Sequence, residues 1–316
     1  MNTGLKITVF AAALAATFGT AYGVGSGVDP VVAKADKGGA SHAGHGEKGK
    51  GAAEGGAAAV EIPGGLQVSQ GGYTLDLETR RLDAGKRATL SFAIEDDAGR
   101  KVTAYEREHE KELHLIIASR DLGVFRHLHP TRAADGTWST PVELEQAGGY
   151  RVFADFKAKG AKEGLTLGSD LAVSGKYAPR ELPAVNAVDE VDGYEVKLAG
   201  KLTPGKAGEL RLSVAKGGKP VTDLQPYLGA YGHLVALRSG DLAYLHVHPN
   251  EGGPGPEVSF TATAPSKGAY RLFLDFKHGG EVRTAAFTVT AGGAVAGSDS
   301  GAGAGREEEG ESGHAH

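Results

Sequence analysis

The chain has 316 residues, 40% of them hydrophobic, with 34 Lys and Arg against 39 Asp and Glu for a formal net charge of −5. That is enough for two ordinary domains plus tails, and no basic block interleaved with aromatics offers a nucleic-acid groove. Cysteine is absent and Met1 is the single methionine, which excludes disulfides, Fe–S clusters, cysteine-ligated zinc and blue-copper centres and leaves nitrogen and oxygen to hold any metal.

At the amino terminus Lys6 precedes an uncharged run from Ile7 to Val28 that ends at Asp29. Residues 1–28 therefore read as an export segment, a signal peptide or membrane anchor, that places the rest of the chain outside the cytoplasm. Residues 29–64 form a Gly/Ala/His-rich linker containing His42 and His45. Residues 292–316 form an acidic tail containing His314 and His316, expected to be disordered.

Between these ends the chain repeats itself. Gly72-Tyr73 returns as Gly193-Tyr194, and Leu90, Phe92 and Ile94 return as Leu210, Leu212 and Val214. Further along, Tyr150-Arg151-x-Phe153-x-Asp155-Phe156-Lys157 returns as Tyr270-Arg271-x-Phe273-x-Asp275-Phe276-Lys277. Apolar residues alternate over short runs separated by Gly, Asp and Pro, the pattern of strands with one buried face. The expectation is all-β: two tandem immunoglobulin-like Greek-key sandwiches over 65–176 and 183–291, each of about six or seven strands. The segment 174–184, with Pro179 and Pro183, joins them, and the Gly-x-Tyr opening a late strand in both copies suggests a tyrosine corner.

Six of the 12 histidines form the spacing His-x12-His-x-His twice, at His114, His127 and His129 and at His233, His246 and His248. Between His114 and His127 two apolar arms flank Arg120-Asp121 and Gly123, which reads as a β-hairpin. Alternation then projects His127 and His129 from one face while Leu128 points to the core. Opposed residues on paired strands have Cβ atoms ~4.5–5.5 Å apart, close enough for three imidazoles to meet one ion at ~2.0–2.1 Å. The expected result is one three-histidine metal site per repeat, losing affinity as the imidazoles protonate between about pH 7 and 5. The plainer alternative is a solvent-facing histidine stripe.

Other residues border this pattern. His109 in the first copy and His278 in the second could each add a ligand, although both read more simply as exposed. Asp155 and Asp275 could accept an imidazole N–H, or only satisfy backbone groups at a strand end, which is the favoured expectation. Sequence leaves open whether the two hairpins face each other to build one shared site.

The motif His109-Glu110-Lys111-x-x-His114-Leu115 followed by Asp121-Leu122-x-x-Phe125-x-His127-Leu128-His129-Pro130 resembles a family of uncharacterised exported or membrane-anchored actinobacterial proteins. Tyr227-Leu228-Gly229-Ala230, Gly232-His233-Leu234 and Tyr244-Leu245-His246-Val247-His248-Pro249 look like that family's second repeat. The likeness covers about residues 65–291 and is distantly similar in plan to YtkA-like β-sandwiches. It implies envelope heavy-metal handling, with the metal ion and other envelope metal-handling proteins as partners. Methionine, the usual Cu(I) ligand, is missing from the motif region, which points to divalent copper or zinc. Two alternatives stand beside this. One is a cupin-like three-histidine metalloenzyme, although no carboxylate recurs after the His-x-His to act as base. The other is an adhesion or scaffold sandwich without metal.

Overall fold

A computed structural model of the chain describes residues 62–245 and 247–293. The expected export segment, the linker as far as residue 61 and the tail from residue 294 lie outside the described residues, and with them His42, His45, His246, His314 and His316. The described residues form strands and turns without a helix. In the first repeat the strands are β1 (Ser69–Gln70), β2 (Tyr73–Asp76), β3 (Arg81–Asp83), β4 (Ala88–Asp96), β5 (Leu113–Ser119), β6 (Phe125–Leu128), β7 (Thr131–Arg132), β8 (Trp138–Val142), β9 (Gly148–Phe156) and β10 (Leu165–Ser174). The second repeat has β11 (Val188–Val191), β12 (Tyr194–Gly200), β13 (Ala207–Lys216), β14 (Lys219–Pro220), β15 (His233–Arg238), β16 (Tyr244–Leu245), β17 (Val247–Pro249), β18 (Glu257–Thr263), β19 (Gly268–His278) and β20 (Glu281–Ala291).

Each repeat is a two-sheet immunoglobulin-like sandwich. The sheets of the first run β1-β2-β4-β8-β7 and β3-β10-β9-β5-β6, those of the second β11-β12-β13-β18-β17, with β14 on β13, and β16-β15-β19-β20. The chain changes sheet between β4 and β5 and again between β8 and β9, as a Greek key requires. There are more strands than the six or seven expected, because two- and three-residue edge pieces carry too little alternation to be read from sequence. The tyrosine corner is present twice: Tyr150 donates to the Gln146 carbonyl at 2.7 Å and Tyr270 to the Ser266 carbonyl at 2.9 Å.

Alternation explains both cores and something further. In β5, Leu113, Leu115 and Ile117 enter the core of the first sandwich, while Ile116 and Ala118 point the other way and are equally buried. That second face packs on the matching face of the second repeat: Ile116, Ala118, Leu122 and Phe153 share a cluster with Val235, Leu237, Leu242 and Phe273. The contact is reciprocal, with Phe125 stacked on Phe273 at 4.0 Å and Tyr244 against Phe153 at 5.8 Å. Leu182, from the segment joining the repeats, packs against the same cluster.

The two hairpin turns serve this packing. Gly123 is the expected turn residue of the first hairpin, yet its left-handed position falls on Leu122 (φ 56); the second turn has Gly240 (φ 101) and Leu242 (φ 62), and both leucines are buried in the cluster. A left-handed conformation costs a non-glycine residue about 1–2 kcal/mol, less than burial of a leucine side chain returns, ~1.5–3 kcal/mol. At the amino-terminal edge, Tyr244 N–H donates to the Gly64 carbonyl at 3.0 Å, and a Cβ on Gly65 (φ 74) would stand 2.4 Å from the Phe153 ring.

The inter-repeat cluster should therefore be part of one cooperative unit. Phe273→Ala, which removes a ring stacked between the repeats, is expected to lower unfolding stability by about 3–5 kcal/mol. Urea denaturation followed by tryptophan fluorescence checks this, because Trp138 lies in the other repeat; an unchanged Trp138 transition would show that the repeats unfold independently.

Candidate metal centre

The strands that make the inter-repeat contact also carry the histidines. On β5, His114 continues the outward face of Ile116 and Ala118; its neighbour in register on β9 is Asp155. On β15, His233 occupies the same position beside Asp275 of β19. Ile116 pairs with His127 across the hairpin, so His127 and His129 rise on the interface side while Leu128 packs against the first core, as alternation predicts.

The nitrogen atoms of His114, His127 and His129 gather with their candidate ligand atoms within 4.8 Å of one another, and His127, His233 and Asp275 form an overlapping set. Ring centroids are 5.4 Å apart for His114 and His127, 4.8 Å for His127 and His129, and 4.5 Å for His127 and His233. Of the two expected trios, that of the first repeat is gathered; that of the second includes His246, outside the described residues. His233 stands against the first repeat's trio, because face-to-face packing brings β15 opposite the His127 hairpin. His248 sits on β17 in register with Thr261, on an edge of the other sheet.

Asp275 also departs from expectation. It does not cap a strand end: its Oδ2 lies 2.8 Å from His127 Nδ1 and its Oδ1 accepts from Thr284 at 2.6 Å. The favoured sequence reading failed because the imidazole partner belongs to the opposite repeat, 148 residues away in the chain. Asp155 accepts from Thr166 at 2.9 Å. His278 lies apart from the cluster, bonded to the Tyr194 hydroxyl at 2.7 Å and to Asp223 at 3.1 Å. His109 is exposed, its ring 6.1 Å from both His114 and His233. Tyr227, which sequence reasoning did not single out, lies 6.2 Å from His129 and 6.4 Å from His127 by ring centroid.

The hydrogen-bond partners assign the tautomers. His114 Nε2 lies 3.2 Å from the Glu108 carbonyl, an acceptor, so in the neutral ring Nδ1 carries the lone pair. His127 Nδ1 faces a carboxylate, so Nε2 carries the lone pair there. These two nitrogens are 3.2 Å apart. Two lone pairs at that distance repel unless a cation lies between them. A proton would join two nitrogens, but a third is at hand: His129 Nε2 is buried without a hydrogen-bond partner among the described residues, as is His233 Nδ1. Ligands at ~2.0–2.1 Å on a tetrahedral ion are separated by about 3.3–3.4 Å, close to the spacing of His114 and His127. A dication would also offset the buried Asp275 carboxylate, whose only ion-pair partner among the described residues is His127.

Both repeats match one family model, over residues 67–168 and 189–293, described as a domain of unknown function, DUF8832. The chain belongs to that family. No curated protein matches it. Among solved structures it is similar to the Lin-41 filamin domain, at 9% identity and TM-score 0.24, covering 35% of this chain and 97% of that one. It is also similar to the Escherichia coli adhesin FdeC, at 16% identity and TM-score 0.23, with 73% of this chain and 66% of that one covered. The Yersinia pseudotuberculosis adhesin InvE gives 12% identity and TM-score 0.23, covering 72% and 60%. The chain thus spans less than two thirds of the length of either adhesin.

Burial, reinforced by repulsion from His127, holds His114 down at about 4 and His129 at about 3. The same causes, with His114 added, push His233 well below the ordinary imidazole range. Burial and the Asp275 charge push Tyr227 up to about 12, so its hydroxyl keeps its proton. The lone pairs of His114 and His129 therefore persist to lower pH than the ordinary value of ~6.5 allows.

The same shifts set a stability prediction for metal-free protein. His114 and His129 bind their protons near pH 6.5 when unfolded but only near pH 4 and pH 3 when folded, so the unfolded state holds more protons between those values and stability falls as pH drops. The urea midpoint should be lower at pH 5 than at pH 7.5, and a His114→Gln, His129→Gln variant should flatten that slope. A wild-type slope no steeper than the variant's would show that these rings are not buried as neutral groups.

Proposed function

We propose that the chain is an extracytoplasmic, non-enzymatic binder of a divalent metal ion, zinc or copper, held by His114, His127 and His129. Asp275 orients His127 from the second repeat, and His233 stands next to the trio. The supporting observation is the 3.2 Å contact between two imidazole nitrogens whose lone pairs face each other, with a third buried nitrogen beside them. The ligand set is all nitrogen, without the sulfur that selects Cu(I), which points to Zn(II) or Cu(II). The uncharged run from Ile7 to Val28 after Lys6 supports an extracytoplasmic place for the two repeats, and with it a role in envelope metal handling. The equivalence of His246 and His248 to His127 and His129 supports a second ion at the second repeat, which stoichiometry will count.

The carboxylate near the trio is committed to His127 and Thr284, and the Tyr227 hydroxyl keeps its proton, so neither supplies the general base a three-histidine hydrolase needs. Binding is the reading these residues favour over catalysis.

Titration of the untagged protein with Zn(II) and Cu(II) by calorimetry tests the proposal. Asp275→Asn should weaken binding by about 10- to 100-fold, the usual effect of losing a partner that orients a ligand, and His127→Ala should weaken it further. If wild type and His127→Ala take up metal equally, the trio is not the site; if wild type takes up none while losing stability on the His127 change, the cluster is a proton-linked scaffold instead.

A further inference from the structure

One part of the cluster is left over by the resident trio. The turn Glu108–Lys111 closes with backbone bonds in both directions, 2.9 and 3.0 Å, around two left-handed residues, His109 (φ 49) and Glu110 (φ 65). Such two-residue turns favour Asn and Gly, and the equivalent turn in the second repeat has Gly229 (φ 79) after Leu228 (φ 58). In the first repeat both positions are filled by residues with side chains, His and Glu. Strain kept beside a candidate site points to a function for the side chain that it presents.

The placement of His109 indicates which function. Its turn abuts the other one, where a Cβ on Gly229 would lie 3.9 Å from Glu110 Cγ. Beside them His109 and His233 border a void of about 10 Å³, whose other walls include Leu228, Gly232, Val247 and Pro249. That is the size of a single water, so it has room for one ion and little else. The void shares Ala230, Gly232, Pro249 and Phe260 with a groove of about 340 Å³. His109 is exposed, whereas His114 is buried and the Nδ1 of His233 is buried without a hydrogen-bond partner among the described residues. His233 lines that void and also belongs to the overlapping set with His127 and Asp275, so it joins the void to the trio.

We infer that His109 and His233 form an entry station for the hydrated divalent ion, with His109 capturing it at the surface and His233 passing it inward to His114, His127 and His129. The inference rests on the metal-binding reading. It assigns His109 to the route of exchange and not to the resident ligand set.

The test is stopped-flow uptake of Zn(II) by the full chain, and its removal by excess chelator, in wild type and His109→Asn. Asparagine tolerates the left-handed position and lacks an imidazole, so the turn is kept. Uptake and release should both slow by about tenfold while equilibrium affinity stays within about threefold, since a residue on the path changes rates in both directions alike. Wild-type exchange rates in His109→Asn would overturn the entry station while leaving the trio intact. A loss of affinity matching the loss of uptake rate would also overturn it, by making His109 a resident ligand. Absence of Zn(II) and Cu(II) binding by wild type would remove the parent reading and the station together.

Discussion

The structure depends on one constraint: two sheets, one from each repeat, are packed through the faces that an isolated sandwich would leave in water. All seven residues of β5 are buried, one set in its own core and the alternate set against the other repeat. A strand buried on both faces must be apolar throughout, and Leu115-Ile116-Ile117-Ala118 is. Where polar side chains continue that second face, at His114, His233 and Asp275, they leave water together and must satisfy one another.

The character of the histidine cluster follows from that loss of solvent. Imidazoles on an open sheet would titrate near their ordinary value and hydrogen-bond to water. Confined between two repeats, His114, His129 and His233 are held neutral by burial and by their neighbours. Glu108 and Asp275 take the remaining N–H groups and thereby decide which nitrogens face inward. The groups of this arrangement come from a turn that offers a backbone carbonyl, a hairpin and strands of the other repeat, so it exists only when the duplicated halves are docked.

Duplication also accounts for the asymmetry. The same packing presents His114 beside Asp155 and His233 beside Asp275, and the reciprocal aromatic pairs Phe125–Phe273 and Phe153–Tyr244 keep the halves matched. The turns over the cluster have diverged: one carries His109 and Glu110, the other Leu228 and Gly229. Two copies of one hairpin thus give a polar rim on one side and an apolar rim on the other.

Sequence alone determined the duplication, the all-β class, the two tyrosine corners and the facing of His127 and His129 against Leu128, because each depends on short-range alternation and turn chemistry. It also singled out His114 and His233, through a spacing repeated in both halves. Tertiary structure alone decided that His233 and Asp275 stand with the first repeat's trio, and that Leu122 and Leu242 take the left-handed turn positions. A face that is apolar because another domain covers it has the same composition as one that faces its own core. Periodicity therefore shows that Ile116 and Ala118 are buried, but not what buries them; the partner of His127 lies 148 residues along the chain and is set by docking.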